Sequence, residues 1–273
     1  MGSDRLGRAV FFIVAFCILT ISVTFFLSGI VKPYTGITLA LNAQIWRVES
    51  VDVNGAAYQA GIREGDRPVE INGLSAETFL EQYKKAGIVL GMLIRDVTVA
   101  DKSGQMKSVA LKNNSPSGQS VVEAISWFVV SLVFWVIGFH VFLKKPKNIA
   151  ALLLCTCGLV FGLALSAQSA AERAIPTALQ LAVAATIFSP WLLLHFFFVL
   201  PEERAKLRNS RLIFLVYLPP AITLLFFFIV GYADGQPVQW FRNVRFLEIG
   251  VGLMLAVSVA ILNYRSAVSI RTR

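Results

Sequence analysis

The chain has 273 residues, of which 56% are hydrophobic and only 15% charged, with a formal net charge of +9 and a mean hydropathy of +0.68. A water-soluble domain of this length would carry about 25% charged residues, so an ordinary soluble globule is excluded. The excess positive charge does not make it a nucleic-acid binder either, because its placement follows a membrane rule.

An apolar stretch of roughly 18 or more residues without charge reads as a membrane-spanning helix. The sequence predicts about six: Val10–Val31, Val121–Leu143, Ile149–Ala167, Thr177–Leu200, Leu212–Tyr232 and Phe246–Leu262. The last is the weakest, because Glu248 lies in its first turn. The first is too long, and lacks the small-residue cleavage site, to be a removable signal peptide. Short cytoplasmic segments collect Lys and Arg. With the N-terminus placed in the cytoplasm, the segments "MGSDRLGR", "KKPKN", "PEERAKLRNSR" and "NYRSAVSIRTR" fall on that side. They hold 12 basic and 3 acidic residues, while everything else holds 13 of each. The whole excess lies on one face, which predicts cytoplasmic termini in a multi-pass protein of a bacterial-type plasma membrane.

In chain order, residues 1–9 are a cytoplasmic tail and 10–31 the first span. Residues 33–118 form the one segment large enough for an aqueous domain, and the charge count sets it outside the cell. Residues 121–265 make a five-helix bundle and 266–273 a second tail. Within 33–118, "GITLAL" and "WRVESVDV" read as strands, and "AAYQAG" as a short helix closed by Gly61. "REGD" turns at Gly65. "RPVEI" is a strand whose proline, lacking a donor, is expected to delay its start by one residue. "NG" at Asn72–Gly73 is a tight turn, and Ser75 caps an amphipathic helix, "SAETFLEQYKKAG". "MLIRDVTVAD" and "QMKSVALK" close the segment as a hairpin through "KSG".

That order, together with "AAYQAGIREGDRPVEING" (Ala56–Gly73), resembles a bacterial-type PDZ domain over about 85 residues. The departure is Arg67–Pro68, where the family has an apolar pair. The fold class expected is therefore a polytopic α-helical membrane protein with an inserted extracytoplasmic α+β PDZ-like domain. The resemblance implies that an extended peptide, or a protein C-terminus, adds as a strand along a sheet edge. A loop of backbone N–H groups would capture the carboxylate; by resemblance this is Tyr34, Thr35, Gly36 and Ile37. The other wall of the groove would be the helix Glu77–Lys85, offering Thr78, Phe79, Gln82 or Tyr83, whose helical phase the sequence leaves open. A degenerate domain serving as a spacer is the alternative. Tyr34 follows the first span closely, within about 10–15 Å of the bilayer at 3.3 Å per residue, which suits a hydrophobic or lipid-modified peptide.

The spans carry few ionisable groups. His140 and His195 lie near the cytoplasmic ends of their helices, where interfacial roles outweigh a cofactor site, and no cofactor is expected. Cys17, Cys155 and Cys157 sit in apolar runs as small hydrophobes, and no metal is expected. Glu248 is expected to pair locally with Arg242 or Arg245. Pro190 and Pro219–Pro220 would kink their helices. Trp46, Trp240 and Tyr232 suit the interfacial belt. No protease constellation, Walker loop or G-x-S-x-G is present, so the chain as given reads as a non-enzyme.

One span, a PDZ-like domain and then a bundle resembles the sensory region of competence-type quorum-sensing sensor histidine kinases. "SPWLLLHFFFVLPEERAKL" (Ser189–Leu207) resembles a recurring segment of multi-span sensor kinases. The resemblance implies a two-component signal sensor, either the sensory part of a longer kinase or a stand-alone relative, with the lipid bilayer, a peptide and a second copy of the chain (a homodimer) as partners. The alternative is a membrane scaffold or protease adaptor that holds envelope-protein C-termini.

Overall fold

The computed structural model describes residues 2–84, 88–173, 175, 177–200, 212–233, 236–237 and 239–271. Helix α1 (Gly2–Val31) is an apolar rod in which the Thr20, Thr24 and Ser28 hydroxyls are satisfied internally, while the buried Ser22 hydroxyl has no partner among the described residues. Thr20, Thr24 and Ser28 each donate to the carbonyl four residues back at 2.9–3.0 Å, which removes the cost of bare hydroxyls in lipid. Pro33 follows directly and cannot continue the helix.

Two small antiparallel sheets come next. Strand β1 (Ile37–Asn42) returns through Ala43–Gln44 into β2 (Ile45–Val51). Both link residues have positive φ, 49° and 67°, with neither a glycine nor an asparagine to ease it. A short helix α2 (Ala56–Gln59) leads to β3 (Arg67–Ile71), β4 (Leu74–Ser75) and helix α3 (Ala76–Glu81). Strands β5 (Ile88–Leu90), β6 (Asp96–Ala100) and β7 (Met106–Ala110) complete the unit. The strand orders are β2–β1–β5 and β4–β3–β6–β7. Leu39, Val48, Ile62, Ile71, Leu80, Val89, Val97 and Val99 are all buried in the core between them. Each such aliphatic side chain contributes about 1.5–3 kcal/mol by leaving water.

Three local expectations are corrected. Strand β3 begins at Arg67, without the one-residue delay expected of its proline: Arg67 pairs with Ala100 and Pro68 with Val99, and the register shifts between Pro68 and Glu70. The bulge absorbs the missing proline donor. Helix α3 stops at Glu81 rather than running to Lys85, which lies outside the described residues. The Tyr83 N–H tightens onto Leu80 O at 3.0 Å, and its ring turns into the core, with its centroid 5.4 Å from that of Phe79. Met92 does not open a strand, because residues Gly91–Leu93 form a single 3₁₀ turn.

The bundle consists of α4 (Gly118–Lys144), α5 (Ile149–Glu172), α6 (Ala178–Val199), α7 (Leu212–Phe226) and α8 (Gln239–Arg271). Ser117 caps α4, accepting from the Ser120 N–H. Asn148 caps α5, accepting from the Ala150 and Ala151 N–H groups. Glycines bring α4 and α5 together: a Cβ at Gly158 would stand 2.8 Å from Phe134 O, and one at Gly138 2.9 Å from the Cα of Cys155. Small residues serve this purpose in lipid, where packing rather than hydrophobicity holds helices together. Helix α6 carries Pro190 between α5 and α8 and is buried along most of its length.

Among the described residues, five helices are long and apolar enough to cross a membrane, against about six expected. The sixth apolar segment holds a shorter helix, α7, which contains Pro219 and Pro220. It widens at Phe227–Gly231 into a π turn before a two-residue hairpin, Tyr232–Ala233 with Gln236–Pro237. The weakest sequence-derived span belongs to the longest helix, α8. The segment 201–211, placed in the cytoplasm by its charges, lies outside the described residues, as do the side chains of Trp240 and Tyr232.

Candidate functional site

The loop Tyr34–Ile37 joins α1 to β1, and the fold holds it from three directions. Its carbonyls are spent on the sheet domain: Tyr34 O and Thr35 O accept from the Ala56 and Ala57 N–H groups at the start of α2, and Gly36 O accepts from the Asp52 N–H at 2.7 Å. Gly36 has φ +68°, and a Cβ there would meet the Cα of Gly55 at 2.8 Å. The two glycines let separate backbones touch. The Thr35 hydroxyl, fully buried, donates to Gly91 O at 2.9 Å.

Tyr34 connects this loop to the bundle. Its hydroxyl donates to Asp52 Oδ2 at 2.7 Å, and its ring lies under the guanidinium of Arg173, 4.8 Å from centroid to Cζ. Arg173 ends α5. It donates through Nε to Lys32 O at 3.0 Å, and through Nη1 to Ser169 O and Oγ at 2.8 and 2.9 Å. One buried guanidinium thus grips the end of α1, the turn above it on α5 and the tyrosine ring. Burial pushes the Tyr34 phenol well above the usual tyrosine range, helped by the hydrogen bond to Asp52. Burial also pulls the Arg173 guanidinium down from its ordinary value, opposed by Glu172; arginine stays charged regardless. A second tie runs through Asn54, whose carbonyl accepts from Ser117 Oγ at 3.0 Å and whose amide donates to Glu123 Oε2 at 3.3 Å.

Two cavities open at this junction. The first, about 350 Å³, has one wall of Tyr34, Gly36, Ile37 and Thr38 and a second of Ser50, Val51 and Asp52. Leu90 and Gly91 close one end; Gln168, Ala171 and Glu172 of α5, with Leu179 of α6, close the other. The second, about 260 Å³, lies between α4 and α5, lined by Glu123, Trp127, Ser169 and Arg173 among others. Tyr34, Gln168 and Glu172 line both.

The eight residues expected at a peptide groove therefore divide. Tyr34, Gly36 and Ile37 reach the larger cavity, and Thr35 lies buried just behind it. The four between Thr78 and Tyr83 do not line that cavity. Phe79 and Tyr83 point into the domain core. Thr78 is exposed, with its hydroxyl 2.8 Å from that of Ser75. Gln82 donates to Phe79 O at 3.0 Å. The wall opposite the loop is supplied by α5. Strand β1 also has partners on both sides: β2 runs along one edge, while β5 pairs Thr38 with Leu90, Leu39 with Val89 and Ala40 with Ile88 on the other. Gly91 continues this strand over Ile37, where a Cβ would come within 2.6 Å of Ile37 O.

Sequence reasoning missed Arg173, which a positively charged loop beside a span disguises as an interfacial anchor. The available signal was "SAAER" (Ser169–Arg173), a cation at the end of an alanine-rich and otherwise apolar helix. Deeper in the bundle, His195 does not meet His140; its Nδ1 lies 2.7 Å from the Tyr217 hydroxyl of α7. Among the described residues, no group of three His, Cys, Asp or Glu could hold a metal. Glu248 lies beside Thr223 and Trp191, and the Arg245 guanidinium lies over the Phe246 ring. The side chain of Arg242 is outside the described residues. Comparison with protein-family models, with curated proteins and with solved structures gave no match to this chain.

Proposed function

We propose that the chain is a membrane signal sensor, the sensory part of a histidine kinase. Its PDZ-like domain, outside the cell, takes an extended or hydrophobic peptide beside the bilayer, and a change at the domain passes into the helix bundle. The observation that carries this reading is the position of Tyr34. It lines both junction cavities, bonds Asp52 in the domain and lies against Arg173 in the bundle. A ligand lodged there touches both parts at once, and it biases the bundle by as much as its affinity differs between two arrangements.

For a peptide to add along β1, strand β5 must first leave. Only three residues hold it there, and a three-residue strand is near the low end of strand lengths. Cysteines at Thr38 and Leu90 face each other directly in the ladder, at a Cα separation of about 4.5–5.5 Å that a disulfide accepts.

The test is a random-peptide selection on the full chain in lipid nanodiscs, followed by hydrogen exchange. Binding should expose Ile88–Leu90 and alter protection around Arg173, and the Thr38→Cys/Leu90→Cys disulfide should block both. Binding of protein C-terminal tails with no change at Arg173 would favour a scaffold instead. Selection of no peptide at all would end the peptide-sensor reading.

A further inference from the structure

We infer that the 350 Å³ junction cavity takes a cationic group carried on an apolar body, the class represented by an arginine or lysine side chain within an extended hydrophobic peptide. The inference deepens the proposed function and rests on the cavity being the ligand site. It assigns the ligand a charge opposite to that of a terminal carboxylate.

The volume falls in the range of small-ligand sites, about 300–1,000 Å³. The lining is apolar along Ile37, Val51, Leu90, Ala171 and Leu179, and it holds two charged side chains, Asp52 and Glu172. Both are carboxylates, one directly after β2 and the other at the end of α5, and both residues are exposed, so both can reach a ligand. No basic residue lines this cavity among those described. Arg173, next to Glu172 in the chain, is withdrawn: its side chain is 2% exposed, with Nε donating to Lys32 O and Nη1 to Ser169. It serves the second cavity rather than this one. The carboxylates also retain free acceptor capacity. Asp52 uses one lone pair of each oxygen, toward the Asn54 N–H and the Tyr34 hydroxyl, and a carboxylate offers about four such sites. Glu172 has only long contacts, 3.5 Å to Gln168 Nε2 and 3.8 Å to Arg173 Nη1.

An anionic ligand end would meet two like charges here, and like-charge juxtaposition is strongly unfavourable in a partly apolar cleft. A guanidinium or ammonium between Asp52 and Glu172 would instead complete both carboxylates, with the apolar walls receiving the aliphatic stem or a neighbouring side chain.

The experiment uses the full chain in phosphatidylcholine nanodiscs with four probes: n-butylguanidinium, butyrate, acetyl-Leu-Val-Arg-Leu-amide and the same peptide with Gln in place of Arg. Binding is read by calorimetry, and folding by thermal melts of each variant. The arginine peptide should bind at least about ten-fold more tightly than the glutamine one, and n-butylguanidinium should compete with it whereas butyrate should not. Asp52→Asn and Glu172→Gln should each weaken the arginine peptide about three- to ten-fold without changing the glutamine peptide. Equal affinity for the two peptides, or competition by butyrate, overturns the inference, and so does loss of binding on adding phosphatidylethanolamine, which would mark the cavity as a lipid-headgroup site. Peptides that bind only through a free carboxylate would leave the sensor reading standing and remove this one. Competition-sensitive binding of n-butylguanidinium with no peptide binding would do the reverse.

Discussion

The guanidinium of Arg173 lies 4.8 Å above the ring of Tyr34, although one residue ends a membrane helix and the other opens the sheet domain. The pair couples the two parts because each member has a further anchor on its own side. Tyr34 is tied to Asp52, and Arg173 to Ser169 and to the Lys32 carbonyl just past α1. Rotation of the domain against α5 must break this set together.

Replacing Arg173 with alanine should therefore loosen the junction by about 1–3 kcal/mol, since Lys32 O loses a charged donor and Tyr34 its cation. Hydrogen exchange at residues 34–36 should rise about ten-fold or more, while the domain core at Val89 and Val97 stays protected. Lysine at the same position should recover only part, because it cannot donate from a planar fork in three directions.

Tyr34→Phe keeps the ring and removes the bond to Asp52, and it should cost about 1–2 kcal/mol at neutral pH. The phenol is raised above its ordinary value, so the folded state favours the protonated form. Its contribution is complete below about pH 10 and is lost as pH rises beyond it. Melts of the two proteins at pH 8 should differ, and they should converge at pH 11. Ultraviolet titration should show one tyrosine fewer ionising near pH 10 in the folded wild type.

At Gly36, alanine meets both a positive φ and the Cα of Gly55 at 2.8 Å. A loss of about 1–3 kcal/mol is expected, read as a lower domain melting temperature and a displaced Tyr34. Alanine at Gly73, where φ is +78° and no atom lies near the added methyl, should cost only the backbone strain.

The β6–β7 hairpin should be sensitive to acid. The Asp101 carboxylate accepts from the Ser103 hydroxyl at 2.6 Å and from the Ser103 and Gln105 N–H groups, and it pairs with Lys107 at 3.2 Å. These bonds, the Ser103 hydroxyl first, hold it well below the usual carboxylate range. The stabilisation is present above the ordinary Asp value, near pH 4, and fades as pH falls below it. Asp101→Asn should melt earlier than wild type at pH 7 and lose that difference near pH 2.

Much of this architecture could be read from residue order. Hydropathy located the helices because lipid tolerates little else. Gly61, Gly65 and Gly73, with φ of +81°, +88° and +78°, marked real turns, and Ser75 caps α3 through the Thr78 N–H. The site was less legible, for physical reasons. "IVL" in β5 is too short for any periodicity, and its pairing with β1 depends on Gly91 fitting over Ile37, a tertiary fact. Phe79 and Tyr83 could have lined a groove as easily as a core, since both demand apolar surroundings. The grip of Arg173 spans 141 residues, so "SAAER" could single out the cation but not its partner at Lys32. The sequence did place Tyr34, Gly36 and Ile37 together, because residues within one four-residue stretch beside a helix end cannot separate far.

The link between β1 and β2 offers a practical foothold. Ala43 and Gln44 hold a left-handed conformation that asparagine and glycine adopt with little penalty. Writing Asn-Gly there would relieve strain at the tip of the hairpin, where Gln44 is exposed and at the opposite end of the β1–β2 ladder from Ile37 and Val51. A scaffold hardened at this tip could absorb the damage that junction variants inflict, so that loss of coupling could be told apart from loss of folding.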